Sequence, residues 1–363
     1  MSSPAPFLCV IIPAYNAEKH LRETVYSITN QPCKDLCVII VNDGSEDRTL
    51  QIAQELCRND PRIHVIDQEN GGAAKARNAG LNLCLTIGSP YFTFLDGDDV
   101  WVDAFYDTEL QHRLLSHNKD IYYFGHYTAN CHLKRGRKFP VSPCDDSSGT
   151  LKKYGIHCCY IHKTELVQKY RLYFPPQRYR TQEDTTFTFL FCTLADCFEH
   201  IDKEIFLYRS NPNSITHSRF VPSELYFSHA IPAWKWAEKE VLRICTEAGK
   251  DTVGPVGECQ TMQKTYLPEF ITVACQCGVS PSKIRNAIDG SGMKNLFSEE
   301  NTVWIDAQSR QAWNRFYAHP WRFWIKQRAK GIAISLGQKV RHFSIVENKR
   351  YPVLLNTIYT HRG

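Results

Sequence analysis

Leu8-Cys9-Val10-Ile11-Ile12 is an uninterrupted apolar run that stops at Pro13-Ala14-Tyr15-Asn16. A short run without polar alternation reads as a strand buried on both faces, as in a parallel sheet covered by helices. The pattern repeats outward from it. Leu21, Val25 and Ile28 recur at helical spacing within 17–29, and 37–41 is a second apolar run. Residues 49–58 predict a helix, 63–66 a strand, 73–85 a helix and 91–95 a fourth strand. Strands alternating with helices at this rhythm predict an α/β fold with a mostly parallel central sheet.

Farther along, 121–124 predicts a strand, 135–150 a mobile loop rich in charge, Pro and Ser, and 161–170 a short helix. Residues 185–196 predict a helix and 205–208 a short strand, after which the pattern becomes helical, most clearly at 234–248. The expected organisation is an α/β domain over 1–216, with halves 1–100 and 101–216, and a helical region over 217–363.

The chain has 363 residues, 22% charged and 43% hydrophobic, which are ordinary globular values. A net charge of +5 does not point to nucleic acid. No apolar run is long enough to span a bilayer, and residues 1–7 show no secretory pattern. The 15 cysteines form no paired CxxC motifs, so reduced thiols in a cytosolic core are expected rather than a zinc site.

In open parallel sheets, ligands bind beyond the carboxyl ends of the strands. Here those ends are Pro13–Asn16, Asn42-Asp43-Gly44-Ser45, Gln68-Glu69-Asn70-Gly71-Gly72 and Asp96-Gly97-Asp98-Asp99. Each alone is ordinary loop chemistry, but together they read as one crevice. Asp96, Asp98 and Asp99 repel one another unless something neutralises them, and such oxygen donors suit Mn²⁺ or Mg²⁺ beside a phosphate. The bland alternative is a solvated acidic turn. The glycines at 71 and 72 run into a helix carrying Lys75 and Arg77, whose N-terminus and cations favour an anion. It too could be a plain surface helix. Neither GxGxxG nor GxxxxGK[ST] occurs.

VIIPAYNAEKHL (10–21), VIIVNDGSEDRT (38–49), NGGAAKARNAG (70–80) and FTFLDGDDVW (92–101) occur in that order. With these motifs the chain resembles the family 2 inverting glycosyltransferases of GT-A fold, in particular bacterial lipopolysaccharide and capsule sugar transferases. The resemblance implies a nucleotide-sugar donor, usually a UDP-sugar, and a divalent metal. It places Pro13, Tyr15, Asn16 and Glu18 at the nucleoside and Asp43 at the base, with Lys75 and Arg77 near base and diphosphate. Asp96 falls near ribose and donor sugar, Asp98 on the metal, and Asp99 behind it as support. Gln182-Glu183-Asp184-Thr185 resembles the family's ED motif. That makes Asp184 the general base and Glu183 its orienting neighbour, where capping of a helix N-terminus is the plain alternative. Arg209, Ser214 and His217 match a segment that closes over the diphosphate. His157, Tyr160 and Arg178–Arg180 are candidates for the acceptor side. A hexosyl or N-acetylhexosaminyl transfer to a surface or lipid-linked glycan is the implied reaction. The rivals are a metal-dependent phosphohydrolase, whose acidic motif on the first strand is missing, and a catalytically silent nucleotide- or glycan-binding module.

Residues 315–350 carry nine Lys/Arg against a single acid, Glu347, with Trp321, Ile325, Ile332, Leu336, Val340 and Phe343 near one stripe. A basic helix with tryptophan can lie in a membrane interface. The expected location is therefore cytoplasmic, peripheral on the inner membrane. A helix packed on its own domain is the alternative.

Overall fold

The structure is a computed structural model that describes residues 5–139, 157–176, 179, 182–210, 223–257, 259–260, 271–272, 274–276, 278–291 and 307–341. Two compact units divide the chain. One comprises Met1–Tyr179, Glu183–Ser218 and Glu247–Gly249, and the other comprises Arg180–Gln182, Arg219–Thr246 and Lys250–Gly363.

The first unit is built on a nine-stranded sheet. Strands β1 (Leu8–Ala14), β2 (Leu36–Asp43), β3 (Ile63–Gln68) and β4 (Tyr91–Phe94) run parallel in the order β3-β2-β1-β4. Leu8 to Ile12 and Val38 to Val41 are fully buried, as their unbroken apolar runs require. Helices α1 (Leu21–Thr29), α2 (Thr49–Asn59) and α3 (Ala73–Ile87) connect them. Gly80 lets α3 lie close on β1, since a Cβ there would sit 2.3 Å from Ile11 Cγ2. α1 starts later than its apolar pattern implies. The backbone N–H groups of Asn16, Ala17 and Glu18 are tied instead to side chains of the β2–α2 loop.

Beyond β4 the sheet becomes mixed. Its order continues β8 (Tyr160–Lys163), β6 (Ile121–Ala129), β9 (Phe198–Arg209) and β5 (Val100–Trp101), with β7 (Arg135–Phe139) hydrogen-bonded to β6. β8 is antiparallel to β4 and β6, while β9 is parallel to β6. Several expectations change here. The start of the expected loop at 135–150 is strand β7, and the rest of that loop is not described. The expected helix at 161–170 is strand β8 followed by α5 (Thr164–Tyr170). The expected strand at 205–208 is the end of a twelve-residue β9. Helix α4 (Thr108–His117) is additional, capped by Asp107, which accepts from the Leu110 N–H at 2.7 Å. Helix α6 (Glu183–Leu194) starts at the acidic pair itself.

The second unit contains α7 (Ser223–Glu247), α8 (Pro281–Ser291), α9 (Ala307–Ala318) and α10 (Pro320–Arg341). Trp234, Val241, Ile271, Ile284, Ile288 and Phe316 are buried in it. Pro320 separates α9 from α10 and starts the latter, where its missing N–H costs nothing. On α10, Trp324 Nε1 donates to the Val279 carbonyl at 2.7 Å and Phe323 is buried, whereas Trp321 and Ile325 are 58% and 61% exposed. Among the described residues, no helix is long and apolar enough to cross a membrane.

Candidate active site

The loops after β1, β2 and β3 are knitted into one shelf. Asn16, in the left-handed region at φ 50°, donates its N–H to Ser45 Oγ, and its Oδ1 accepts from the Glu46 N–H. Glu18 donates its N–H to Asp47 and accepts from the Arg48 N–H. Asp43 is buried. Its Oδ1 accepts from the Gly71 N–H at 2.8 Å and from Gln68 Nε2 at 2.7 Å, and its Oδ2 accepts from the Gly72 N–H at 2.7 Å. Asp43 thus shapes the glycine turn that starts α3. Gly44 must be glycine, since φ is +66° and a Cβ would lie 2.6 Å from the Asn70 nitrogen. Tyr15, half exposed, stands on this shelf beside the partly buried Pro13. Lys75, exposed on the first turn of α3, lays its aliphatic stem over Gly71.

A second group gathers where β4, α3, α6 and the 3₁₀ turn His157–Cys159 meet. Arg77 is 4% exposed. Its Nη2 donates to Asp96 Oδ1 at 2.9 Å, its Nη1 lies 3.5 Å from Glu183 Oε1, and its guanidinium stacks 5.4 Å from the Phe174 ring centroid. His157 Nε2 lies 3.6 Å from Asp96 Oδ1, and its Nδ1 lies 3.4 Å from Asp184 Oδ2. Asp184 Oδ1 accepts from the Thr185 N–H at 2.7 Å.

The charges in this group are strongly coupled. Burial works against an ionised Asp96, but Arg77 and then His157 hold it well below the usual carboxylate range. Burial also opposes charge on Asp184, and His157 with Arg77 reverses that, so Asp184 titrates below its ordinary value. Burial and the Asp184 charge push Glu183 up to about 7. Burial and Arg77 lower the His157 imidazole, yet Asp96 and Asp184 raise it overall. Two adjacent carboxyls with opposite shifts on one helix start are what separates a base from a neutral hydrogen-bond donor.

The acidic turn is anchored from β9. Pairing of Val100 with Leu207 brings Arg209 to the turn, where its N–H donates to Asp99 Oδ1 at 2.8 Å and its Nε to the Asp98 carbonyl at 2.6 Å. Its Nη1 and Nη2 donate to the Cys131 carbonyl and Glu23. Three of the five guanidinium N–H groups of Arg209 thus serve protein acceptors. Arg209 holds the turn that carries Asp98. Asp99 is buried, and burial together with the charges of Asp96 and Asp98 raises its carboxyl well above the usual range. With Asp96 paired to Arg77 and Asp99 held by Arg209, the partly buried Asp98 is the carboxylate of this turn that a divalent cation would use. Among the described residues, Asp96, His157 and Cys158 also bring ligand atoms within 4.8 Å of one another. Arg77 already neutralises that carboxylate, so a cation there would meet a guanidinium.

Arg77, Asp96, Glu183 and Asp184 are thus brought together, and Asp43, Asn16, Glu18, Tyr15 and Lys75 share the neighbouring shelf. Tyr160 is buried in the sheet and its carbonyl accepts from Thr93 Oγ1, so it does not reach an acceptor. Ser214, His217, Arg178 and Arg180 lie outside the described residues. Sequence reasoning missed Phe174 and the bridging place of His157. A lone aromatic and a lone histidine carry no spacing signal. A cavity of about 770 Å³ lies elsewhere, between α1 and β5, lined by Glu23, Tyr26, Asn30, Trp101 and Arg135 among others.

Comparisons with known proteins show what the chain is similar to. The model of the Glycosyl transferase family 2 matches residues 9–179. The chain is 30% identical over 233 residues to the uncharacterized glycosyltransferase EpsJ of Bacillus subtilis (strain 168), covering 60% of this chain and 65% of EpsJ. It is 41% identical over 102 residues to the putative teichuronic acid biosynthesis glycosyltransferase TuaG of the same organism, covering 28% of this chain and 39% of TuaG. The chain thus spans just under two thirds of EpsJ's length and less of TuaG. Among solved structures, S. aureus TarS 1-349 in complex with UDP-GlcNAc superposes with a TM-score of 0.57 at 21% identity, covering 82% of this chain and 93% of that chain. At that identity the likeness shows the fold, which is GT-A. Over residues 9–179, just under half of its length, the chain is similar to the family 2 glycosyltransferases.

Proposed function

We propose that this chain is a metal-dependent, inverting glycosyltransferase that moves a hexosyl or N-acetylhexosaminyl group from a UDP-sugar to a hydroxyl of a bacterial surface glycan. The observation that carries this reading is the joint placement of Arg77, Asp96, His157 and Asp184 beside the shelf of strand-end loops. The TuaG likeness supports a surface glycan acceptor, and the TarS complex supports a UDP-sugar donor.

On this reading Tyr15, Pro13, Asn16 and Glu18 line the nucleoside, and Asp43 meets the base while keeping the glycine turn in shape. Lys75 and Arg77 face the diphosphate. Nε of Arg77 is buried and makes no hydrogen bond, which leaves a donor for an anion. Asp98 holds Mn²⁺ or Mg²⁺, which would offset charge developing on the leaving diphosphate. Asp184, held as a carboxylate, takes the proton of the acceptor hydroxyl as that oxygen attacks in line with the departing UDP. Glu183 exchanges its proton near neutral pH and, while protonated, donates a hydrogen bond that orients donor or acceptor.

We also propose peripheral contact with the cytoplasmic face of the inner membrane through 315–350, bringing the site to a lipid-linked glycan. Trp321 and Ile325, exposed one turn apart on a basic helix, support it. Co-sedimentation with anionic vesicles, lost on Trp321→Ala with Ile325→Ala, tests this contact. The reaction is tested by UDP release from a panel of UDP-sugars in the presence of a glycan acceptor.

A further inference from the structure

His157 touches the carboxylates at both ends of the proposed reaction, Asp96 at 3.6 Å from Nε2 and Asp184 at 3.4 Å from Nδ1. It is 2% exposed, so water does not hold the ring in place. Its orientation is set by packing against Phe94, with ring centroids 5.8 Å apart, on the strand that delivers Asp96. The charged and titratable groups facing it are Arg77 from α3, Asp96 after β4, Glu183 and Asp184 from α6, His162 from β8 and its neighbour Cys158, whose Sγ lies 3.3 Å from Nε2. A buried ring wedged between the two carboxylates restricts the separation and rotation of both acids.

Building on the glycosyl-transfer reading, we propose that His157 is a positioning residue that locks the base Asp184 in register with the donor-side Asp96. The Thr185 N–H bonds one oxygen of Asp184 and the His157 ring packs 3.4 Å from the other, which restricts how the carboxylate can turn. When Asp184 accepts the hydroxyl proton, packing against Phe94 and the approach to Asp96 keep the ring in place for the next turnover.

The two ring nitrogens can be replaced separately. The amide nitrogen of Asn reaches where Nδ1 sits, and that of Gln reaches where Nε2 sits. His157→Ala lowers kcat about 100-fold, the scale of a misplaced catalytic group, while UDP affinity by calorimetry stays within about twofold. His157→Asn, which keeps the Asp184 contact, recovers most of kcat. His157→Gln, which keeps only the Asp96 contact, retains the donor KM but not kcat. Equal kcat for the Asn and Gln variants, an unchanged kcat in the Ala variant, or a loss confined to KM overturns the proposal. If the Ala variant fails to fold, the Asn and Gln variants still decide, since both fill the space. A wild-type protein that releases no UDP from any donor overturns the functional reading, and this proposal with it. Normal wild-type turnover with equal Asn and Gln variants overturns this proposal alone.

Discussion

The loops after β1, β2 and β3 are joined mainly by backbone amides bonded to side chains, whereas the carboxylates after β4 and on α6 are joined by side-chain charge. On the first side, Asn16, Ala17, Glu18, Gly71 and Gly72 all spend backbone N–H groups on Ser45, Thr49, Asp47 and Asp43. On the second, Arg77 and His157 hold Asp96, Glu183 and Asp184. On the proposed reading the shelf receives a nucleotide and needs shape, and hydrogen bonds from the backbone supply it. A site that moves a proton and stabilises a leaving anion needs tuned charge, and paired ions supply that. Mutations on the two sides should therefore fail differently.

The largest effect is expected on the charged side. Asp184→Asn lowers kcat by about 10²–10⁴-fold, the range for losing a general base, with UDP affinity unchanged in calorimetry. A variant with wild-type kcat removes Asp184 from the chemistry. Arg77→Leu strands Asp96 and Glu183 without their cation. It should cost about 2–3 kcal/mol in urea unfolding, less than a fully buried pair because Asp96 is partly exposed. An unchanged midpoint would show that the charges are not coupled as described.

The sequence shows these two sides unequally. The parallel half was legible because β1 and β2 are continuous apolar runs between helical patterns. In the mixed half, β5 is two residues long and β7 is charged and exposed along most of its length, so neither has a hydrophobic period to read. Burial in β9 does not alternate, with Ile205, Phe206 and Leu207 buried in a row, and its polar first half hides it. At the site, Asp96, Arg77, Glu183 and Asp184 stood out through their motifs. Arg209 also stood out, but no spacing reveals that its guanidinium bonds protein groups. His157 becomes visible only when the 3₁₀ turn is laid beside β4 and α6.

On the shelf side, Asp43→Ala deprives the Gly71 and Gly72 N–H groups of their acceptor. It should cost about 1–3 kcal/mol of stability, read as a lower Tm, and weaken UDP binding more than kcat. A loss in kcat alone would contradict the shelf role. The smallest effect concerns Glu183, whose native carboxyl is pushed to about 7 from an ordinary 4.5. Between pH 4.5 and 7 the unfolded chain releases this proton and the native state keeps it, so stability falls as pH rises through that window. Glu183→Gln should flatten that slope in thermal unfolding and remove an ionisation near 7 from the rate profile. A slope unchanged by the substitution contradicts the shift.

The central claim, sugar transfer from a nucleotide-sugar with a divalent cation at Asp98, is tested most directly by UDP release across a panel of UDP-sugars. The purified wild type and Asp98→Asn would be compared with Mn²⁺ and with EDTA. The account predicts turnover of one or a few donors that requires the metal and is lost in Asp98→Asn. Turnover that is equally fast with EDTA, or in Asp98→Asn, would contradict it.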